Sequence, residues 1–165
     1  MEAPDPAGGH VTEQEKNRLV AWNRELAAAH QRLRDALRVT RDALDSGDTG
    51  SARTDLLLYC HGFCTALSAH HVSEDVALFP ELSARWPALR PTIARLREDH
   101  DTIASLLGQL DRALGRSAPV EELQQHLDGL AAIMESHFRY EERQLLDILS
   151  TLELDAEPQA VLGPL

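Results

Sequence analysis

The chain has 165 residues, with 16 Lys and Arg against 27 Asp and Glu and a net charge of -11, which fits one soluble domain and leaves no room for a second of ordinary size. A composition 43% hydrophobic and 26% charged excludes bulk disorder. The acidic balance, with no basic stripe, argues against a nucleic-acid partner, because a phosphate backbone is held by clustered Lys and Arg.

Residues 1–10 hold two prolines and two glycines and no periodic pattern, so they are expected to be a flexible lead-in. Thr12 followed by Glu15 fits a capping box that opens a helix. Leu19, Trp22, Leu26, His30, Leu33, Leu37 and Leu44 then fall on one face at mostly three- and four-residue steps, the stripe of an amphipathic helix that DSGDTG at 45–50 ends. A second helix is predicted from about Ser51 to Phe79, with the stripe Leu56, Cys60, Phe63, Leu67, His70, Glu74 and Leu78. The segment from Pro80 to Pro91 carries three prolines and is expected to be a connection, with at most a short helical turn.

The third stripe is Leu89, Ile93, Leu96, His100, Ile103, Leu107, Leu110 and Leu114, ended by Gly115. Pro119 opens the fourth helix, whose stripe is Leu123, Leu127, Leu130, Met134, His137, Glu141, Leu145 and Ile148. The predicted architecture is an all-α, up-down-up-down antiparallel four-helix bundle over residues 11–152, with residues 153–165 as a loose tail. No apolar run approaches the roughly 20 residues that span a bilayer, and no apolar signal segment follows Met1, so a cytoplasmic protein with no membrane partner is expected.

His30, His70, Glu74, His100, His137 and Glu141 each stand where the stripe calls for Leu. An unpartnered buried carboxylate or imidazole costs several kcal/mol, so six of them in one small core need a common cause. His70 with Glu74 and His137 with Glu141 are four residues apart, which stacks each pair on one helix face. Counted from the two connections at about 1.5 Å per residue, all six reach one height. Four imidazoles and two carboxylates in one layer make a metal site, suited to two ions bridged by Glu74 and Glu141, and the donor set suits iron and also manganese or zinc.

One His on the first helix, HHVSE from His70, EDHD around His100 and HFRYE from His137 resemble the hemerythrin-like HHE cation-binding domain over residues 11–150. The resemblance implies two non-haem iron ions, oxo- or hydroxo-bridged, with His30, His70, His100 and His137 as terminal ligands and Glu74 and Glu141 as bridges. Oxygen-carrying hemerythrins have five histidines, the fifth four residues beyond the third-helix His, where this chain has Ala104. Tyr59 lies 11 positions before His70, too far along the helix, while His71 and Tyr140 are turned about 100° from their neighbouring ligands. Water is therefore expected in the vacant place, which disfavours reversible oxygen carriage and favours inner-sphere chemistry with dioxygen, peroxide or nitric oxide.

The implied partners are such a small diatomic or peroxide ligand and an electron donor, for a monomer or homodimer. A competing class is a zinc or single-iron module whose metal only stabilises an interaction surface. Asp75, Glu98, Asp99, Asp101 and Glu142 are expected to form a solvated face, with the alternative that one of them orients a ligand imidazole, and Cys60 and Cys64 to be small buried hydrophobes, with redox coupling to the metal centre as the alternative. His61 and His126 are expected at the surface or its boundary, and His10 in the lead-in.

Overall fold

In the computed structural model, residues 21–46 and 51–164 are described. The expected lead-in and the Thr12 capping box lie outside them. The elements are α1 (Ala21–Asp45), α2 (Ser51–Ser73), a π-helical turn (Glu74–Leu78), α3 (Phe79–Arg85), a 3-10 turn (Pro87–Leu89), α4 (Arg90–Gly115), α5 (Val120–Leu149) and the short α6 (Pro158–Leu162). No strand occurs among the described residues, and no helix there is long and apolar enough to cross a membrane.

Helix α1 packs against α2 and α5, α5 against α4, and α4 against α2. His30 meets Glu142, Arg34 meets Glu135 and Arg41 meets Asp128, so partners on α5 descend as α1 ascends and the two helices run in opposite directions. Every described stripe residue whose burial is given is buried, except Leu89, Leu114 and Ile148, which are half-buried at the helix ends. Periodicity identified the inward faces because a helix repeating every 3.6 residues turns such positions to one side.

The segment predicted to be a connection from Pro80 is still helical as far as Arg85. Proline lacks the N–H that the ladder would use, and the chain accommodates this by widening into the π turn, where Phe79 N–H bonds to Glu74 O. Pro80 then sits in the first turn of α3, where its missing donor is tolerated.

Two apolar clusters fill the interior. One contains Leu33, Leu37, Phe63, Leu67, Ile103, Leu110, Leu130 and Met134. The other contains Trp22, Leu26, Leu78, Phe79, Ile93, Leu96, Leu145 and Leu149. On every bundle helix the polar stripe residues fall between members of these clusters, so the His and Glu side chains form one layer with apolar packing above and below.

The C-terminal residues are not the loose tail that their composition predicts. Val161 and Leu162 are buried, α6 packs against α1, α2 and the π turn, and Trp22 Nε1 donates to Leu154 O at 3.2 Å. A few apolar side chains anchored on preformed helices hold a segment that has no periodicity of its own.

Candidate metal centre

All six predicted residues, His30, His70, Glu74, His100, His137 and Glu141, are brought into the layer, none more than 3% exposed. Their contacts divide into two groups. His30 Nε2 lies 3.2 Å from Glu141 Oε2, and His70 Nε2 lies 3.1 Å from Glu74 Oε1. His100 Nε2 lies 3.4 Å from Glu74 Oε2 and 3.2 Å from His137 Nε2, which is 3.6 Å from Glu141 Oε2. Each glutamate thus faces both groups, the position a bridging carboxylate requires.

The second group has a third imidazole, although a turn of about 100° from His70 predicts that His71 points away from the layer. His71 is 5% exposed, stacks on His100 with ring centroids 3.9 Å apart, and brings a nitrogen to within 4.8 Å of ligand nitrogens of His100 and His137. Where the sequence predicts water in place of a fifth histidine, His71 thus stands with His100 and His137 in one group that could hold a metal ion. The 100° between His70 and His71 did not exclude the second, because the layer is wide: α2 points between the two groups and sends one imidazole to each. The adjacent pair HH before Glu74 was the available sequence signal.

Among the described residues, the buried side-chain nitrogen and oxygen atoms lacking a hydrogen-bond partner are Nε2 of His30, His70 and His71 and both oxygens of Glu74 and Glu141. All belong to this layer. Each such atom costs about 1–3 kcal/mol unless something occupies the space between them. Imidazole nitrogens and carboxylate oxygens aimed at a common interior are a fitting donor set for cations of the iron, manganese or zinc type.

The opposite ring nitrogens are held from outside the layer. His30 Nδ1 is 2.8 Å from Glu142 Oε1, His100 Nδ1 is 3.0 Å from Asp75 Oδ1, and His137 Nδ1 is 3.3 Å from Asp99 Oδ2. Of the five acidic residues expected on a solvated face, Glu98 and Asp101 are exposed as predicted. Asp75, Asp99 and Glu142 instead orient imidazoles, an arrangement that fixes tautomers and strengthens metal ligands. Arg34 Nη1 in turn holds Glu142 Oε1 at 3.0 Å. His70 Nδ1 has a different kind of partner, the backbone carbonyl of Leu162 at 2.7 Å.

Charge is divided unevenly among the side chains of the layer. Burial disfavours a charged His30, but the Glu141 and Glu142 carboxylates outweigh it and raise its pKa to about 9. Burial likewise opposes a charged His100, and Asp75 with Glu74 overcomes it, again to about 9. Burial and then the neighbouring His30 charge push His70 down to about 3, while burial and His100 hold His71 well below the usual range. The two glutamates diverge: burial and Glu141 raise Glu74, whereas His30 holds Glu141 low against the effect of burial. Protons on His30 and His100 neutralise the carboxylates where cations would otherwise do so.

Cys60 is fully buried and Cys64 half-buried, and both thiols are free. Burial pushes Cys60 up to about 11 and Cys64 up to about 12. His61 is exposed and His126 is half-buried beside Glu122, as expected. Residues 23–149 match the family model described as the Hemerythrin HHE cation binding domain. No curated protein and no solved structure matches the chain.

Proposed function

Since the chain belongs to the hemerythrin HHE cation-binding domain family, we propose that its layer holds two iron ions and binds or reacts with dioxygen, peroxide or nitric oxide. His30 and His70 would hold one ion, His71, His100 and His137 the other, and Glu74 and Glu141 would serve both. The observation that carries this reading is the set of unpartnered buried atoms, all aimed into one layer. Bound there, the pair of metals would supply reversible one- and two-electron chemistry and a Lewis-acidic place for a small ligand.

The protein's own residues make the two sides unequal. The His30 and His70 side has one imidazole fewer, so the vacant position falls to that side. Five histidines and two carboxylates equal the complement of the oxygen carriers, so the objection to reversible oxygen binding drawn from four histidines loses its basis. Phe138 stacks on His30 with centroids 3.9 Å apart, and Phe79 stacks on His100 at 5.4 Å. These rings wall the layer against bulk water and strengthen electrostatic interactions inside it.

Metal analysis and the optical spectrum of protein purified without added metal test the reading. About two irons per chain with the absorption of a bridged di-ferric pair support it. One zinc and no such band overturn it in favour of a metal-stabilised interaction module. Mixing the di-ferrous protein with oxygen and with peroxide then separates roles: a stable, reversible adduct marks a carrier or sensor, and repeated peroxide consumption marks an oxidoreductase.

A further inference from the structure

Three imidazoles of the layer are oriented by carboxylates carried on or beside the bundle helices, and His70 is oriented by the chain's own C-terminal segment. A carbonyl oxygen only accepts, so its 2.7 Å contact requires the proton of His70 on Nδ1 and leaves a bare lone pair on Nε2, which faces Glu74. The segment is pressed onto α2 at this point. Gly163, at φ 85°, lies so close that a Cβ there would meet the His70 backbone nitrogen at 2.9 Å and the Ala69 carbonyl carbon at 3.0 Å. Any other residue would be strained in that left-handed conformation as well as crowded.

The segment is anchored up to the contact by buried Val161 and Leu162 and the half-buried Pro158. On its outer side the segment forms one wall of a groove of about 410 Å³, shared with Glu25, Ala29 and Arg32 of α1. Solvent thus reaches the strap on the flank where the layer has fewer protein donors.

We propose that residues 158–164 are a positioning strap for His70: the Leu162 carbonyl sets the tautomer and orientation of the imidazole, and Gly163 is the residue that permits the approach. The hydrogen bond itself does not depend on the proposed function. Its consequence for metal retention does. The strap makes one of the two imidazoles on the His30 and His70 side answer to a short terminal segment rather than to a bundle helix.

The test uses the full-length chain and Gly163→Ala, with Val161→Ala as a variant that loosens the strap's packing without crowding the contact. Imidazole nitrogen NMR of the metal-free proteins reads the tautomer directly. The wild type is expected to show His70 as a single Nδ1–H form, Gly163→Ala a mixture or the Nε2–H form, and Val161→Ala the wild-type pattern at reduced thermal stability. After iron loading, Gly163→Ala should release metal to a chelator about 10-fold faster or more. An Nε2–H tautomer in the wild type, which needs no variant to fold, overturns the proposal. So does an unchanged tautomer in Gly163→Ala. If the tautomer shifts but neither protein binds iron, the strap stands and the di-iron reading falls.

Discussion

The His30 and His70 side of the layer and the His71, His100 and His137 side share two glutamates and differ in what orients their imidazoles: carboxylates alone on one side, a carboxylate and a backbone carbonyl on the other. On the three-histidine side the outer carboxylates are Asp75, in the π turn, and Asp99, on α4, both within the bundle. On the two-histidine side, His30 is likewise held from the bundle, by Glu142 of α5, which Arg34 of α1 holds in turn, and His70 alone depends on the C-terminal strap. Three of the four supported imidazoles are thus oriented from helices that must pack anyway, and one from a short terminal segment outside them. The strap therefore bears on the side that has one imidazole fewer.

The largest expected effect comes from removing what the two sides share. Glu74→Gln takes a charge from both groups at once, and metal retained after desalting should fall from about two per chain to none. In the metal-free chain the same change should raise the melting temperature, because a buried carboxylate facing Glu141 is replaced by a neutral group. Retention of two metals would show that Glu74 does not link the sides.

His71→Leu separates them. If His71 is a ligand, the three-histidine side should lose metal affinity by at least about 10-fold while the other keeps its own, which competitive chelation resolves into two steps. Equal two-step curves for variant and wild type would restore water in that place. Smaller changes are expected from the supporting carboxylates. Asp75→Asn and Glu142→Gln should each weaken one side only, about 10-fold, and a variant that weakens both equally would erase the distinction between the sides.

The smallest effect lies outside the layer. Burial raises both thiols, so Cys60 and Cys64 favour folding in full below the ordinary thiol pKa of 9.0, and this is lost as pH rises through about 11 and 12. Native protein at pH 8 should accordingly resist iodoacetamide, with labelling appearing only on unfolding or in strong alkali. Rapid labelling at pH 8 would contradict their role as packed hydrophobes.

Much of this was written in the stripes. Where His30, His100 and the two His-x-x-x-Glu pairs replace Leu at inward positions, the helical repeat alone determines that they are buried, and burial determines that they need a partner. Pro119 and Gly115 mark helix ends for equally local reasons.

Three other features belong to the tertiary structure. His71 is inward only because the space between four helices is wider than one helix stripe, so a residue turned 100° away still finds a partner group across it. Asp75, Asp99 and Glu142 look like surface charge until the neighbouring helix places an imidazole nitrogen about 3 Å away, and spacing along one helix cannot predict what stands on the next. The C-terminal segment has no pattern to read; it is ordered by packing against α1 and α2, more than 90 residues earlier in the chain, and contacts so remote leave no periodic trace. The local repeat determined which residues would be buried together, and the packing of separate segments decided how each is held.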